Sequence, residues 1–307
     1  MKNTIIALVV IIIIAIFGFA FYKGDFNQSP TGDSSENGEL TEDATSTTTA
    51  TSSEPEATGP EKVIGQSSEG REILAYTYGE GNKEVIFVGG IHGGYSWNTV
   101  LTAREIKKYF EDNPEKIPAN LKVTVIPLLN PDGLNKVVGT VGDFKSEDIP
   151  SSAEETVPGR FNGNGVDLNR NFDCNWQVTS FWRNEKVNAG SKEFSEPEAQ
   201  AFRDYVNQAK PAAVVFYFSA AGGVFSSSCQ GGILPETKEL TSLYAKAAGY
   251  PAYGEFDFYD ISGDAVNWLA KEGIPGISVL LSDHQNTEWD KNKKGIEALL
   301  NYYADKI

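Results

Sequence analysis

The sequence predicts an α/β domain in which a mixed, mostly parallel central sheet is flanked by helices. Short, continuous apolar runs that end in glycine or a turn, such as EVIFVGGI over 84–91, are typical of strands buried on both faces. Segments with apolar residues at helical spacing, such as NTVLTAREIKKYFE over 98–111, separate these runs. Buried strands that alternate with helices indicate a layered α/β fold with helices on both faces of the sheet.

The individual elements follow from the same two patterns. Residues 62–78 predict two short strands around a Ser-Glu-Gly turn. The buried strands are expected at 84–91, 121–129, 212–218 and 276–281, and the helices at 98–111, 196–209, 237–248, 263–272 and 291–305. Asn130-Pro-Asp-Gly133 stops the second of these strands. Ligand sites of such sheets form at the carboxyl ends of strands, so a site is expected in the loops after Ile91, Leu129, Phe218 and Leu281.

An N-terminal membrane anchor is predicted over residues 1–26. The segment runs apolar from Ile5 to Phe21, which suits a bilayer-spanning helix of roughly 20 residues. A cleaved secretory signal is the alternative, but no small-residue cleavage site follows the apolar run. Lys2 lies before the span, and the positive-inside rule therefore favours a cytoplasmic N-terminus. We expect a single-pass protein of the cell membrane whose domain lies on the extracytoplasmic side.

An acidic, Ser/Thr-rich linker is predicted over residues 27–60. This segment has no aromatic residue, and all of its charges are negative. Such a composition cannot bury enough apolar surface to offset the chain entropy, so the linker is expected to be disordered. The linker holds part of the formal net charge of −16, but the remaining chain over 61–307 is still acidic. This negative charge argues against nucleic acid as a partner. We also expect the domain to be monomeric.

The domain carries seven strings that resemble a known family. They are GGIHGGYSWNTVL (89–101), LNPDGLN (129–135), GRFNGNGVDLNRNFDCNW (159–176), FSEPEAQAF (194–202), VVFYFSAAGGVF (214–225), YDISGDAVNWL (259–269) and GIPGISVLLSDHQNTEW (273–289). In this order they resemble the zinc carboxypeptidases, the carboxypeptidase A-like metallopeptidases, and especially their bacterial branch. NPDG alone is only a turn, but the ordered set spans the whole domain.

The resemblance implies a zinc ion held by two histidines and a glutamate, with a separate glutamate as general base. The first ligand position is His92, which is retained. The glutamate position holds Ser96 or Tyr95, with Ser96 favoured, the second histidine position holds Phe218, and the base position holds Leu280. One imidazole without two further ligands does not hold zinc tightly. We therefore expect zinc from the family, but weakly bound or absent.

The residues that the resemblance assigns to the substrate are better retained. Asn169 and Arg170 match the pair that binds the terminal carboxylate, and a guanidinium suits a carboxylate because it forms two parallel hydrogen bonds. Arg160 matches the arginine at the oxyanion position, and Tyr259 the tyrosine that closes over the substrate. The alternative is residual packing, in which Arg170 pairs with a carboxylate such as that of Asp167 or Asp132.

Cys174 lies near the end of the third string, after Asn169 and Arg170, and Cys229 follows the fifth string; in an oxidising compartment we expect them to form a disulfide near the site. The expected function is that of a pseudoenzyme, a membrane-anchored carboxypeptidase-like domain that binds the C-terminal carboxylate of a peptide or a peptidoglycan stem peptide. Two alternatives stay open. One is an active zinc metallocarboxypeptidase with unconventional ligands. The other is a structural module of the cell envelope, in which Phe218 and Leu280 fill the former metal cavity.

Overall fold

A computed structural model describes residues 60–306 of the 307-residue chain. The predicted membrane anchor over 1–26 and the predicted linker, except for its last residue, lie outside these residues and stay predictions. Within 60–306, no helix combines the length and the apolar character that a membrane crossing requires.

The main sheet is mixed, with parallel strands at its centre. Eight strands of residues 60–306 form it in the order β1-β2-β4-β3-β7-β10-β8-β9. Their bounds are β1 Glu61–Gln66, β2 Glu72–Tyr78, β3 Lys83–Val88, β4 Leu121–Ile126, β7 Ala213–Ser219, β8 Gly223–Ser226, β9 Ala252–Tyr253 and β10 Gly276–Leu281. The four central strands β4, β3, β7 and β10 run parallel to their neighbours in this group. A separate antiparallel hairpin consists of β5 Thr179–Trp182 and β6 Glu185–Asn188.

Helices cover both faces of the sheet, as predicted. Their bounds are α1 Trp97–Asp112, α2 Pro131–Val138, α3 Ala153–Thr156, α4 Pro197–Ala209, α5 Pro235–Ala248, α6 Ala265–Lys271 and α7 Trp289–Asp305. Successive side chains of a strand point to opposite faces. Val85 and Phe87 of β3 therefore join the core cluster that includes α1, α5 and α7, whereas Ile86 and Val88 join the cluster that includes α4 and α6.

The structure adds elements that the sequence did not predict. Strands β5, β6, β8 and β9 are each only two to four residues long. This is too short for a clear alternation of apolar and polar residues. Asn130-Pro-Asp-Gly133 ends β4 as expected, but it also begins α2. The Asn130 Oδ1 accepts a hydrogen bond of 2.8 Å from Gly133 N, and Pro131 occupies the first turn.

The loops after β3 and β4 approach each other closely at the carboxyl ends of the central strands. A Cβ atom at Gly93 would lie 2.4 Å from Asn130 O and 2.6 Å from Leu134 N, so only glycine fits here. This contact fixes the position of His92, the residue directly before Gly93, at the predicted edge of the sheet.

Candidate functional site

A cavity of about 420 Å³ lies at the carboxyl ends of β3, β7 and β10. The predicted site residues that line it are His92, Tyr95, Arg160, Asn169, Arg170, Phe218, Tyr259 and Leu280. The β5–β6 turn and the chain around α6 add Trp182, Arg183, Asn184, Asp264 and Asn267. The structure therefore brings residues from loops far apart in sequence to one cavity, which is open enough to admit part of a peptide.

His92 is buried, and both of its ring nitrogens have protein partners. Its Nε2 lies 3.2 Å from Asp167 Oδ1, and its Nδ1 lies 3.4 Å from Arg160 Nη1. Burial, and then the nearby Arg160 charge, lower the pKa of His92 to about 4. The imidazole is therefore neutral at pH 7, with Nε2–H donating to the carboxylate and Nδ1 accepting from the guanidinium. The contact to Asp167 is then a hydrogen bond rather than an ion pair.

Asp167 and Arg160 form a buried ion pair beside His92. Arg160 donates from Nε and Nη2 to Asp167 Oδ2, each over 2.8 Å. Burial alone would raise the pKa of Asp167, but the Arg160 charge and the hydrogen bond from His92 hold it well below its usual range. Arg160 also lies over the Trp182 ring, with Cζ 4.5 Å from the ring centroid. The carboxylate is thus charged and fixes both the arginine and the imidazole.

Apolar and aromatic side chains occupy the other positions that the sequence resemblance assigns to zinc ligands and to the base. Phe218 lies next to His92, with ring centroids 5.9 Å apart, and Leu280 is its register partner across β7 and β10. Tyr95 packs between His284 and Trp182, at ring-centroid distances of 4.5 and 5.0 Å. Within residues 60–306, no group of three or more His, Cys, Asp or Glu side chains is placed to hold a metal ion.

The structure distinguishes the two residues predicted for the glutamate position. Tyr95 lines the cavity, whereas Ser96 does not and is buried at the start of α1. Burial raises the pKa of the Tyr95 phenol, so the side chain stays protonated at neutral pH. Of the two, Tyr95 therefore lies at the cavity, and Ser96, which the sequence favoured, does not line it.

Arg170 is buried with only part of its guanidinium satisfied. Its Nε donates to Phe181 O over 3.0 Å and its Nη1 to Asn169 O over 2.7 Å. Its Nη2 has no hydrogen-bond partner in the part of the chain that the structure describes, although the residue is only 1% exposed. Neither Asp167 nor Asp132 pairs with Arg170, because they pair with Arg160 and Arg71 respectively.

Asp264 sets the orientation of Asn169 and begins α6. Its Oδ2 accepts from Asn169 Nδ2 over 2.7 Å, and its Oδ1 accepts from the N–H groups of Val266 and Asn267 over 2.9 and 2.8 Å. Burial raises the pKa of Asp264, and the hydrogen bonds together with the Arg170 charge oppose this shift. Asn169 Oδ1 in turn accepts from Ala265 N over 3.1 Å. The amide is thus held on both sides next to Arg170.

A disulfide between Cys174 and Cys229 joins the chain after Arg170 to the chain after β8. Close to this bond, Ser228 N donates to Asn267 Oδ1 over 2.9 Å. The disulfide therefore ties together two segments that flank the cavity, at the place where the sequence led us to expect it.

The sequence did not identify the contributions of Trp182, Arg183, Asn184, Asp264 and Asn267 to the cavity. For the hairpin residues, the sequence offers only the run Trp182-Arg183-Asn184, which has no periodic pattern that predicts a cavity. For Asp264, the signal was an Asp at the expected start of a helix, which predicts a cap but not a place in a cavity.

Comparisons with known proteins place this geometry in a family. A zinc carboxypeptidase family model matches residues 47–288. The human carboxypeptidase N catalytic chain is 28% identical over 185 residues, which are 55% of this chain and 37% of that protein. The murein-tripeptide amidase MpaA from Escherichia coli O157 has a TM-score of 0.53 at 20% identity, over 81% of this chain and 92% of that one. Bovine thrombin-activatable fibrinolysis inhibitor, in complex with tick carboxypeptidase inhibitor, has a TM-score of 0.60 at 18% identity. This match covers 80% of this chain and 88% of that one.

The solved structures, at these identities, show a shared fold alone. In sequence, the chain spans only 16% and 37% of the length of two curated relatives that it matches, a Clostridium perfringens bacteriocin and the human enzyme chain. The family model, by contrast, covers well over half of the chain, including every loop that lines the cavity up to Leu280. The chain therefore belongs to the zinc carboxypeptidase family.

Proposed function

We propose that the domain binds the C-terminal carboxylate of a peptide without hydrolysing it. In this proposal the family's substrate-binding residues are retained, and its catalytic metal site is lost. The proposal also keeps the membrane anchor over 1–26 and an extracytoplasmic location, both of which rest on the sequence alone.

The observation that carries the proposal is the free Nη2 of Arg170. Leaving a buried donor unsatisfied costs about 1–3 kcal/mol, and more for a charged group, so such a donor needs an explanation. A ligand carboxylate in the cavity supplies one, because it accepts charge-assisted hydrogen bonds from a guanidinium. The two other nitrogens of Arg170 are held by backbone carbonyls of Phe181 and Asn169, which fixes the direction of the free one.

The donor set around His92 does not fit zinc. A tight site needs at least three ligands such as histidine, cysteinate or carboxylate. Here the imidazole has only a protonated phenol, a phenyl ring and an aliphatic side chain as neighbours at the positions of Tyr95, Phe218 and Leu280. A cationic guanidinium nitrogen also stands 3.4 Å from His92 Nδ1, the nitrogen that Asp167 leaves free. A zinc ion bound to this nitrogen would be repelled by the positive charge of Arg160.

The base position gives a second, independent argument against hydrolysis. General-base catalysis contributes roughly 10²- to 10⁴-fold to rate, and an aliphatic side chain supplies none of it. Leu280 is 8% exposed and lines the cavity beside Phe218. No carboxylate replaces it among the described residues at the metal side of the cavity, since Asp167 is held by Arg160 and His92.

A purely structural module is less well supported than a binding domain. That alternative requires Phe218 and Leu280 to fill the former metal cavity and Arg170 to be satisfied inside the protein. The cavity instead retains about 420 Å³, and Arg170 keeps a free donor. An active metallocarboxypeptidase is disfavoured by the donor set around His92.

The class of ligand is part of the proposal. The family and the carboxylate-binding residues favour a peptide with a free C-terminus. One solved structure with this fold is a murein-tripeptide amidase. Together with the proposed extracytoplasmic location, it makes a peptidoglycan stem peptide our first candidate, although the likeness itself extends to the fold alone.

Calorimetric titration of the purified chain with paired peptides tests the proposal. One peptide of each pair has a free C-terminal carboxylate, and the other is identical except for a C-terminal amide. We expect the acid to bind and the amide to bind at least about 10-fold more weakly, since hydrogen bonds to charged groups contribute about 1.5–3 kcal/mol. Equal binding of acid and amide, or no binding of alanyl peptides and murein tripeptide, would contradict it.

A further inference from the structure

We propose that the turn of the β5–β6 hairpin adds a second anion-binding position to the cavity, centred on Arg183. The preferred ligand then carries two acidic groups, a terminal carboxylate at Arg170 and an acidic side chain at or next to its C-terminal residue. This inference rests on the proposed function and specifies the class of peptide that the same cavity selects.

Arg183 is a cation without a counter-charge at the mouth of the cavity. Ion pairs within residues 60–306 engage Arg71, Arg160 and Arg203, but none engages Arg183. Its Cζ lies 5.3 Å from the Trp182 ring centroid, and the side chain lines the cavity. A guanidinium that contacts an aromatic ring through its face keeps its N–H edge available for a carboxylate.

Trp182 holds Arg183 close to Arg160. Arg160 Cζ lies 4.5 Å from the same ring centroid, so the two Cζ atoms are less than about 10 Å apart. Arg183 also has a positive φ of 55°, a conformation that non-glycine residues rarely adopt. The two-residue turn between β5 and β6 therefore presents this side chain from a defined backbone position.

The hairpin is fixed to the carboxylate-binding side of the cavity. Arg170 Nε donates to Phe181 O, and Ser180 Oγ lies 2.7 Å from Ser262 Oγ, in the chain that leads to α6. Phe181 and Arg183 are two residues apart, so their Cα atoms are separated by at most about 7 Å. A ligand carboxylate at Arg170 thus places the terminal or penultimate side chain within reach of Arg183.

The charges of the cavity favour an acidic rather than a basic ligand side chain. Among the described residues, three arginines line the cavity, Arg160, Arg170 and Arg183, against the single carboxylate of Asp264, in a chain whose formal net charge is −16. The Asp264 carboxylate already accepts three hydrogen bonds, from Asn169 and from the backbone of α6. It is therefore poorly placed to select a ligand ammonium group, whereas Arg183 is free.

Calorimetric titration with acetylated tetrapeptides tests the inference. The peptides are Ac-Ala-Ala-Xaa-Ala and Ac-Ala-Ala-Ala-Xaa with free C-termini, and Xaa is Glu, Gln or Lys. We expect Glu to bind about 2- to 5-fold more tightly than Gln in at least one position, since an exposed charge pair contributes about 0.2–1 kcal/mol. Lys should bind more weakly than Gln, and added salt should reduce the advantage of Glu.

Two variants assign the effect. Arg183→Gln should abolish the difference between Glu and Gln, whereas Arg203→Gln, on α4 and outside the cavity, should leave that difference and the affinity for the Gln peptides as in the wild type. Equal binding of Glu and Gln by the wild type, or a difference that persists in Arg183→Gln, would overturn the inference. The proposed function would still stand in either case if the Gln acids bind better than their amides. If no peptide binds, both fail.

Discussion

The two halves of the cavity differ in how far their polar atoms are satisfied. In the metal half, defined by His92, Tyr95, Phe218 and Leu280, both nitrogens of His92 have partners, and the remaining side chains are apolar or aromatic. In the carboxylate half, defined by Asn169, Arg170, Tyr259 and Asp264, a buried guanidinium nitrogen has no partner within the described residues. The hydrogen-bonding groups of His92 are therefore satisfied within the protein, whereas one donor of Arg170 is not.

Under the proposed function, this difference means that catalysis can be lost while binding is kept in one fold. Buried polar groups are retained only where hydrogen bonds offset the cost of desolvation. In the metal half, Asp167 and Arg160 form an internal ion pair that fixes the imidazole. In the carboxylate half, backbone carbonyls take two nitrogens of Arg170 and leave the third without a partner among the described residues.

The largest expected change is in zinc affinity, after ligands are restored to the metal half. The double variant Tyr95→Glu with Phe218→His supplies the two groups that His92 lacks. We expect its zinc affinity, measured by competition with a chelating dye, to exceed that of the wild type by at least about 100-fold, since even outer-shell partners of a ligand are worth about 10- to 100-fold. Tyr95→Gln with Phe218→Asn is the matched control. Tight zinc binding by the wild type itself would show that the metal half was never dismantled. A double variant that binds zinc no better than the control would contradict the assignment of Tyr95 and Phe218 to the ligand positions.

The pH dependence of stability should report the buried, neutral state of His92. At pH 7 neither the folded nor the unfolded chain protonates this residue to a large extent. Between the ordinary value of 6.5 and the folded value of about 4, only the unfolded chain binds the proton, so stability falls as the pH falls. His92→Gln removes this loss. At pH 4.5 we expect the wild type to have lost about 2–3 kcal/mol more than the variant, relative to pH 7.

Urea unfolding at pH 7 and pH 4.5 measures the free energy of unfolding of the wild type and of His92→Gln. His284, whose pKa burial also lowers, is present in both proteins and cancels in the comparison. Identical losses in wild type and His92→Gln would mean that His92 is charged in the folded protein, contrary to the geometry in which Arg160 faces it.

Arg170→Gln should separate the carboxylate half from the rest of the domain. We expect the affinity for a peptide with a free C-terminus to fall about 10- to 100-fold, because a charge-assisted hydrogen bond is lost. Binding of the corresponding amide should change little. The surface variant Arg203→Gln controls for the removal of a positive charge, and calorimetry gives both affinities. A similar loss for acid and amide would indicate general disruption of the cavity rather than loss of carboxylate recognition.

The smallest expected change among these four sets of variants is the loss of peptide affinity in Tyr259→Phe. The side chain lines the cavity and packs against Phe256, with ring centroids 4.9 Å apart, so the phenyl ring is expected to keep this contact. Loss of the hydroxyl should weaken peptide binding by about 2- to 10-fold, since one neutral hydrogen bond contributes about 0.5–1.5 kcal/mol. The thermal midpoint should not change. An unchanged affinity would show that Tyr259 does not contact the ligand.

Much of the fold could be predicted because its central strands are buried on both faces. The runs at 84–91, 212–218 and 276–281 are continuous and apolar, and the structure places β3, β7 and β10 there. Strands β5 and β6 carry too few buried side chains for such a signal. Ser180 is the one buried residue of β5, and Val187 is the one buried residue of β6.

The site was only partly predictable for a related reason. His92, Phe218 and Leu280 follow or end strands, so their direction is set by the sheet, and they do line one cavity. The choice between Tyr95 and Ser96 depends on the loop before α1, whose geometry no periodic pattern encodes. The partner of Arg170 depends equally on folding, because the two carboxylates considered for it, those of Asp167 and Asp132, pair with Arg160 and Arg71.

The metal content of the purified full-length chain, measured beside a carboxypeptidase assay on the same sample, tests the central claim most directly. We predict zinc far below one ion per chain after dialysis against buffered zinc, together with no release of C-terminal residues from peptides that the chain binds. Near-stoichiometric zinc with hydrolysis that a chelator abolishes would contradict the account, and would show that the residues around His92 form a working metal site.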